Sequence, residues 1–184
     1  MTREIRNQAG VFALLVVLCA VSRLLPHPPN FTPLASVSLF AGFLFRYRGL
    51  AAAAPLVAMA ISDAVIGRYT PGVMIAVYAS LLYPVALRGV LQRRLSPLRV
   101  VACAGSASLV FYAASNLAHW WFTYTYAHDW QGLVRCYWRA LPFLKYTLAG
   151  DLLWSAALFS AYAAARAMAR GAARHDPQPL PVHD

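Results

Sequence analysis

Acidic side chains are scarce in this chain of 184 residues, which has six aspartates and glutamates against sixteen lysines and arginines. Charged residues of both signs make up only 12%, whereas hydrophobic residues make up 60%. A soluble domain is typically about a quarter charged and about half apolar. The apolar residues also form long blocks, where a soluble amphipathic helix would alternate its faces. Both features exclude an ordinary soluble domain.

Cysteine is also rare, with three residues and no C-x-x-C pair, so a disulfide framework is not expected. Cys19 and Cys103 fall within apolar segments, where buried, inert thiols are the rule. Cys136 is predicted to lie in an exterior loop and is the one thiol whose reactivity we would test. No basic stripe accompanies the net charge of +10, because the arginines stand at the ends of apolar blocks. We therefore expect a lipid bilayer as partner and no nucleic acid.

Six apolar segments are candidates for membrane spans, although the second is short. A spanning helix needs about 20 mostly apolar residues. The pattern predicts an all-α, polytopic membrane protein with one six-helix domain over residues 1–170. The predicted spans cover residues 8–25, 33–45, 49–67, 71–90, 97–119 and 141–168. The polar, proline-rich residues 171–184 are predicted to form a disordered cytoplasmic tail.

The basic residues predict the orientation. With the N-terminus inside, eleven of the sixteen fall on the cytoplasmic side and five on the exterior side, as the positive-inside rule requires. Both termini are then cytoplasmic. No cleavage site of the A-x-A type follows the first apolar run, so we interpret it as an uncleaved span. A bacterial inner membrane is the expected location.

Residues 118–140 are rich in tryptophan and tyrosine and are predicted to lie outside the membrane. Such residues gather at bilayer interfaces because one end of each side chain is apolar and the other is wet. Two compatible interpretations follow. The segment is an interfacial belt with a short in-plane helix, or it is a lid over an exterior pocket.

Two carboxylates within predicted spans, Asp63 and Asp151, are the strongest functional signals. An ionisable group in a span costs about 2.5 to 3.5 kcal/mol on insertion scales and usually faces the bundle interior. Under the predicted orientation, Arg23, Asn116 and His119 fall in the same exterior half. These residues either hold the helices together by hydrogen bonds or line a polar cavity. The sequence leaves both alternatives open.

The segment from Arg23 to Ala35, RLLPHPPNFTPLA, resembles the signature of an uncharacterised bacterial integral-membrane family. The resemblance continues through Ser62-Asp63, Ser115-Asn116 and Gly150-Asp151. That family is catalogued as a domain of unknown function, so the resemblance implies a membrane fold but no activity.

A looser similarity links the chain to the S components of energy-coupling-factor vitamin transporters. These are six-helix proteins whose ligand lies toward the exterior, under loops that include the one between helices one and two. The similarity implies that residues 26–32 cover a pocket and that a small molecule binds there. It also implies an energising membrane module as partner. However, the first span has no clean copy of the small-xxx-small surface on which such docking depends.

The leading hypothesis is a small-molecule-binding or transport protein of S-component type. Its ligand site is predicted from seven residues: Arg23, His27, Asn30, Asp63, Asn116, His119 and Asp151. No catalytic residue, metal or cofactor is expected. One alternative is an outer-leaflet enzyme that uses Cys136 with His119 or His128. The other is a membrane scaffold or assembly subunit that docks through the aromatic segment.

Overall fold

The computed structural model describes residues 3–174, with side chains described for residues 7–171. These residues form helices and connecting loops, with no strand in the described part. The helices are α1 (Arg3–Leu24), α2 (Leu34–Leu44), α3 (Arg48–Ile66), α4 (Pro71–Ser80), α5 (Leu82–Ala86), α6 (Arg88–Arg93), α7 (Pro97–Phe122) and α8 (Trp130–Arg174). The predicted all-α class is confirmed.

Five helices are long and apolar enough to cross a membrane, which identifies an integral membrane protein. They cover Asn7–Leu24, Arg48–Ile66, Pro71–Arg93, Pro97–Phe122 and Trp130–Gly171. The third of these is α4, α5 and α6 in succession, broken at Leu81 and Leu87. Proline at the first turn begins both α4 and α7, where the missing N–H would have no helical partner. Gly67 ends α3 with a φ of 107°, which favours glycine.

Helix α2 is the short, central element of the bundle. Its 11 residues extend for about 16 Å, which is about half the thickness of the hydrocarbon core. Eight of them are buried, and the helix packs against α3, α5 and α8. At Gly42 the backbone of α5 approaches so closely that an added Cβ would lie 3.0 Å from Val85 Cα. The predicted second span is therefore a half-length helix enclosed by the others.

The last helix differs from the prediction. We expected a loop or in-plane helix up to residue 140 and a separate span from residue 141, but α8 is one helix from Trp130 to Arg174. Its 45 residues extend for about 67 Å, which exceeds a hydrocarbon core of about 30 Å. The predicted tail also begins too early, since the helix passes Gly171. Residues 175–184 lie outside the described residues.

The bundle has two chemically distinct ends. At one end, called here the basic end, Arg88 donates to the carbonyl of Arg46, and Arg99 donates to the carbonyls of Val90 and Arg94. These guanidinium groups satisfy backbone acceptors left open where helices end. The other end carries the loops 25–33, 67–70 and 123–129 and surrounds a cavity. We call it the cavity end.

Candidate functional site

A cavity of about 420 Å³ lies at the cavity end. Its wall comes from the end of α1, the loop between α1 and α2, the first turn of α2, and parts of α4, α7 and α8. The short α2 explains the space, because the half of the bundle next to the cavity end lacks a helix at its centre. Non-helical backbone at membrane depth is tolerated where it is buried in protein or lines a cavity, and loop 25–33 does line this one.

The structure places six of the seven predicted site residues in the wall of this single cavity. They are Arg23, His27, Asn30, Asn116, His119 and Asp151. They come from three stretches of the chain: the end of α1 with the loop that follows it, the second half of α7, and the middle of α8. The seventh, Asp63, does not line the cavity but lies behind Arg23.

Arg23 and Asp63 form an ion pair between α1 and α3. The guanidinium Nη2 lies 2.6 Å from Asp63 Oδ1, and the side chains are 16% and 5% exposed. Tyr78 donates from α4 to the second carboxylate oxygen at 3.0 Å. A second guanidinium nitrogen contacts the sulfur of Met59. Asp63 thus neutralises and orients Arg23, and its contribution to the cavity is indirect.

The Nε atom of Arg23 is buried and has no hydrogen-bond partner among the described residues. A thioether is only a weak acceptor for the neighbouring nitrogen. Since Arg23 lines the cavity, its guanidinium retains donors whose needs the described protein groups do not meet. An arginine in this state is suited to hold a carbonyl or carboxylate oxygen.

Asp151 is 3% exposed and lies near the middle of α8. Its Oδ2 forms a hydrogen bond of 2.6 Å with Ser108 Oγ on α7. The Asp151 carbonyl accepts from Ser36 Oγ on α2 at 2.9 Å, and Ser155 donates to the same serine at 3.1 Å. Hydroxyls from α2 and α7 therefore meet at this residue, Ser36 at its backbone carbonyl and Ser108 at its carboxyl group.

The polar residues of α7 form a stripe that faces the cavity. Tyr112, Ser115, Asn116 and His119 all belong to its lining. The Asn116 amide donates to the Tyr112 carbonyl at 2.8 Å. Such intrahelical bonds satisfy polar groups within the helix while leaving the rest of the side chain for the cavity.

The proline-rich loop turns at Asn30, the one residue other than glycine with a positive φ (61°) in the described chain. Phe31 N donates to Pro28 O at 3.0 Å across this turn. Asparagine tolerates this conformation better than most residues. Phe31 then reaches Gly150, where an added Cβ would lie 3.2 Å from Phe31 Cα. Glycine here lets the loop backbone pack against α8, directly beside Asp151.

Sequence reasoning missed several residues of the wall. Tyr69 lines the cavity from the loop after α3. Burial and the Asp63 carboxylate raise its pKa, an effect that Arg23 partly offsets, so its phenol keeps its proton at neutral pH. Tyr78, which contacts Asp63 and does not line the cavity, was missed as well, although a hydroxyl in an otherwise apolar span is a usable signal. The apolar part of the wall carries no signal in sequence, and it comprises residues such as Leu34, Val77, Phe111, Phe143 and Leu144.

The cysteine expected in an exterior loop lies elsewhere. Cys136 is in α8 and only 2% exposed, because the predicted loop is helical here. Its sulfur contacts the Asn116 carbonyl at 3.5 Å, and no histidine among the described residues hydrogen-bonds to it. His119 stacks edge-on with Tyr126, and His128 with Trp120. The pairing of thiol and base that an enzyme would need does not occur in this geometry.

Comparison with protein families gives one match over residues 3–174, to the family of unknown function DUF6580. The chain belongs to this family. The match covers the whole described helical bundle, including the cavity and both buried carboxyl groups. Comparisons of this DUF6580 member with curated proteins and with solved structures find no match. The similarity to S components stays a prediction.

Proposed function

We propose that this DUF6580 protein binds a small molecule in the cavity at its cavity end, as a step in uptake across the inner membrane. One observation carries the proposal. Six polar residues chosen from the sequence, four for their place in one half of the bundle and two in the proline-rich loop, surround one space of about 420 Å³. Ligand pockets typically measure about 300 to 1,000 Å³ and combine apolar walls with a few convergent polar groups.

The cavity wall supports a ligand with distinct polar and apolar parts. Arg23 offers unmet donors at one place, and Asp151 contributes a carboxyl group at another. Apolar side chains from α2, α4, α7 and α8 separate them. The ion pair with Asp63 holds the Arg23 guanidinium before any ligand arrives, and such preorganisation reduces the cost of binding.

The proposed orientation places the cavity end outside and the basic end in the cytoplasm. The contacts support it, because Arg46, Arg88, Arg94 and Arg99 gather at the end away from the cavity. Anionic lipids and the positive-inside rule favour that end for the cytoplasm. In this arrangement both termini are cytoplasmic, and the ligand would enter from outside. An energising module, if one docks, would act from the membrane or the cytoplasm.

A cavity-filling substitution tests this proposal. Ala35 lines the cavity at the start of α2, whereas Ala113 is exposed on the outer side of α7. Ala35→Leu adds volume inside the cavity, and Ala113→Leu adds the same atoms outside it. We expect native mass spectrometry of the purified protein to show a co-purified small molecule. Occupancy should fall at least about tenfold in Ala35→Leu, which corresponds to about 1.4 kcal/mol, and stay unchanged in Ala113→Leu.

Equal occupancy in both variants would place the ligand outside the cavity and contradict the proposal. Folded yield and the melting temperature in detergent serve as controls, since a variant that unfolds loses any ligand. Asn116→Ala supplies a second variant in the wall that removes a polar group without adding volume.

A further inference from the structure

Asp151 is the buried ionisable group of the cavity wall that lacks a basic partner. The one cationic side chain in that wall, Arg23, is bonded to Asp63. The side chains of α2 and α7 that hydrogen-bond to Asp151 are Ser36 and Ser108, which carry no charge. The other titratable groups around the cavity are Arg23, His27, Tyr69, Tyr112 and His119. None of them forms a hydrogen bond or ion pair with Asp151 among the described residues.

An unpaired carboxylate at this depth is unfavourable. Within a transmembrane helix a charged aspartate costs several kcal/mol unless it is compensated or made neutral. Asp151 lies about 20 residues from either end of α8, so it cannot reach water at an end of its own helix. The cavity is the one place from which a compensating charge can come.

The hydroxyl of Ser108 indicates how the charge is removed. Its Oγ lies 2.6 Å from Asp151 Oδ2 and 3.3 Å from the Ala104 carbonyl. One hydroxyl has a single proton and cannot serve both acceptors well. If the carboxyl is protonated, it donates to Ser108, and Ser108 donates to Ala104. The carboxyl and the hydroxyl can then both donate, whereas with an ionised Asp151 the hydroxyl proton serves Oδ2 and the contact of 3.3 Å to Ala104 has no proton of its own.

The second carboxyl oxygen is available to the cavity. Of the two carboxyl oxygens of Asp151, Oδ2 has a hydrogen-bond partner among the described residues and Oδ1 has none. The residue lines the cavity wall. A ligand group placed there meets a carboxyl whose charge depends on one proton. Binding of that ligand and binding of the proton must then affect each other equally, as thermodynamic linkage requires.

We propose that Asp151 is a proton-binding site in the cavity wall, and that ligand binding in the cavity is coupled to this proton. In the empty cavity the carboxyl group takes up this proton, because no cation compensates its charge. A ligand with a cationic group at Asp151 would release the proton, and a ligand with a neutral donor would retain it. The coupling rests on the proposed function, but the proton site itself does not.

Infrared spectroscopy of the ligand-free protein tests the proton site directly. A protonated carboxylic acid gives a C=O stretching band that is separate from carboxylate bands. We expect this band in the unmodified protein at neutral pH and its loss in Asp151→Asn. Asp129→Asn is the matched control, because Asp129 lies in a loop and its Oδ1 accepts from Gly132 N. That variant should keep the band.

Absence of the band from the unmodified protein at neutral pH, or its persistence in Asp151→Asn, would overturn the proton site. The coupling is tested by ligand occupancy in native mass spectrometry from protein equilibrated at two pH values. Occupancy that changes with pH in the unmodified protein and not in Asp151→Asn supports coupling. Occupancy independent of pH refutes the coupling while leaving the proposed function intact. If no ligand is found but the band behaves as expected, the proposed function fails and the proton site stands.

Discussion

At the scale of single residues, the two buried aspartates differ in the partners that surround their carboxyl groups. Asp63 is compensated by a guanidinium and a phenol from two neighbouring helices. The carboxyl group of Asp151 has one partner among the described residues, the uncharged hydroxyl of Ser108. The sequence predicted that both face the bundle interior, since lipid offers them no partner. It did not predict which would reach the cavity, because the rotation of each helix about its axis depends on packing against all its neighbours.

The ion pair predicts a stability difference between two variants of the same contact. Asp63→Asn leaves the Arg23 guanidinium buried without a counter-charge, and breaking a pair in this way costs about 3 kcal/mol or more. Tyr78→Phe removes a single donor to Asp63 Oδ2 and should cost about 1 kcal/mol. Equilibrium unfolding in detergent measures both. Asp129→Asn again controls for the loss of a carboxylate in a loop.

A contrary result would reassign Asp63. If Asp63→Asn is as stable as Asp129→Asn but loses the co-purified ligand, the carboxylate contributes to binding and its role as a support for Arg23 is wrong. The structure favours the supporting role, because Asp63 lies outside the cavity wall.

At the scale of elements, sequence reasoning succeeded where lipid imposes a pattern and failed where it does not. The spans up to α7 were located within a few residues, since each needs a long apolar run. A short in-plane helix was one interpretation of residues 118–140, but its continuity with the last span was not predicted, because the segment contains Arg135, Arg139 and exposed aromatics. A helix that continues beyond the membrane has no need of an apolar run. Pro142 did not end it either, although proline usually interrupts a helix interior.

The short helix α2 predicts a second pair of variants. Gly42→Ala should destabilise the protein by about 1 to 3 kcal/mol, the usual cost of overpacking, because the new Cβ would meet the Val85 backbone at 3.0 Å. Gly105→Ala in α7 is the matched control, since nothing lies within 4 Å of its added Cβ. That variant should be neutral or more stable by up to about 1 kcal/mol, as alanine is the better helix former.

Unfolding in detergent compares the two substitutions, which add the same single methyl group. Equal stabilities would show that α2 and α5 can separate without cost. That result would count against our explanation of the cavity. The explanation requires α2 to be a rigid, half-length helix at the base of the cavity.

At the scale of the whole molecule, the site was predictable to the extent that topology decides it. Five residues far apart in sequence were assigned to one half of the bundle from the alternation of spans, and four of them line one cavity: Arg23, Asn116, His119 and Asp151. The volume of the cavity was not predictable. The cavity arises because α2 has only 11 residues and begins below the cavity, while loop 25–33 fills only part of the space. The proline-rich loop was expected to cover a pocket, and it lines the cavity together with Tyr69 and residues of α7 and α8.

The orientation of the bundle supplies the last prediction. The cavity can take up an exterior ligand only if loops 25–33, 67–70 and 123–129 face outward. The basic end is then cytoplasmic, where the excess of arginines retains it against translocation. Reporter fusions after Arg94 and after Arg174 should therefore give cytoplasmic signals, and insertions near Tyr69 and His128 should give exterior signals. Replacing Arg93, Arg94 and Arg99 together should weaken the bias, because they supply three of the eleven inside charges. Replacing Arg135 and Arg139 is the matched control, which should leave the orientation unchanged. An exterior signal at Arg94 in the unmodified protein would invert the bundle, and the cavity would then receive its ligand from the cytoplasm, which contradicts uptake from outside.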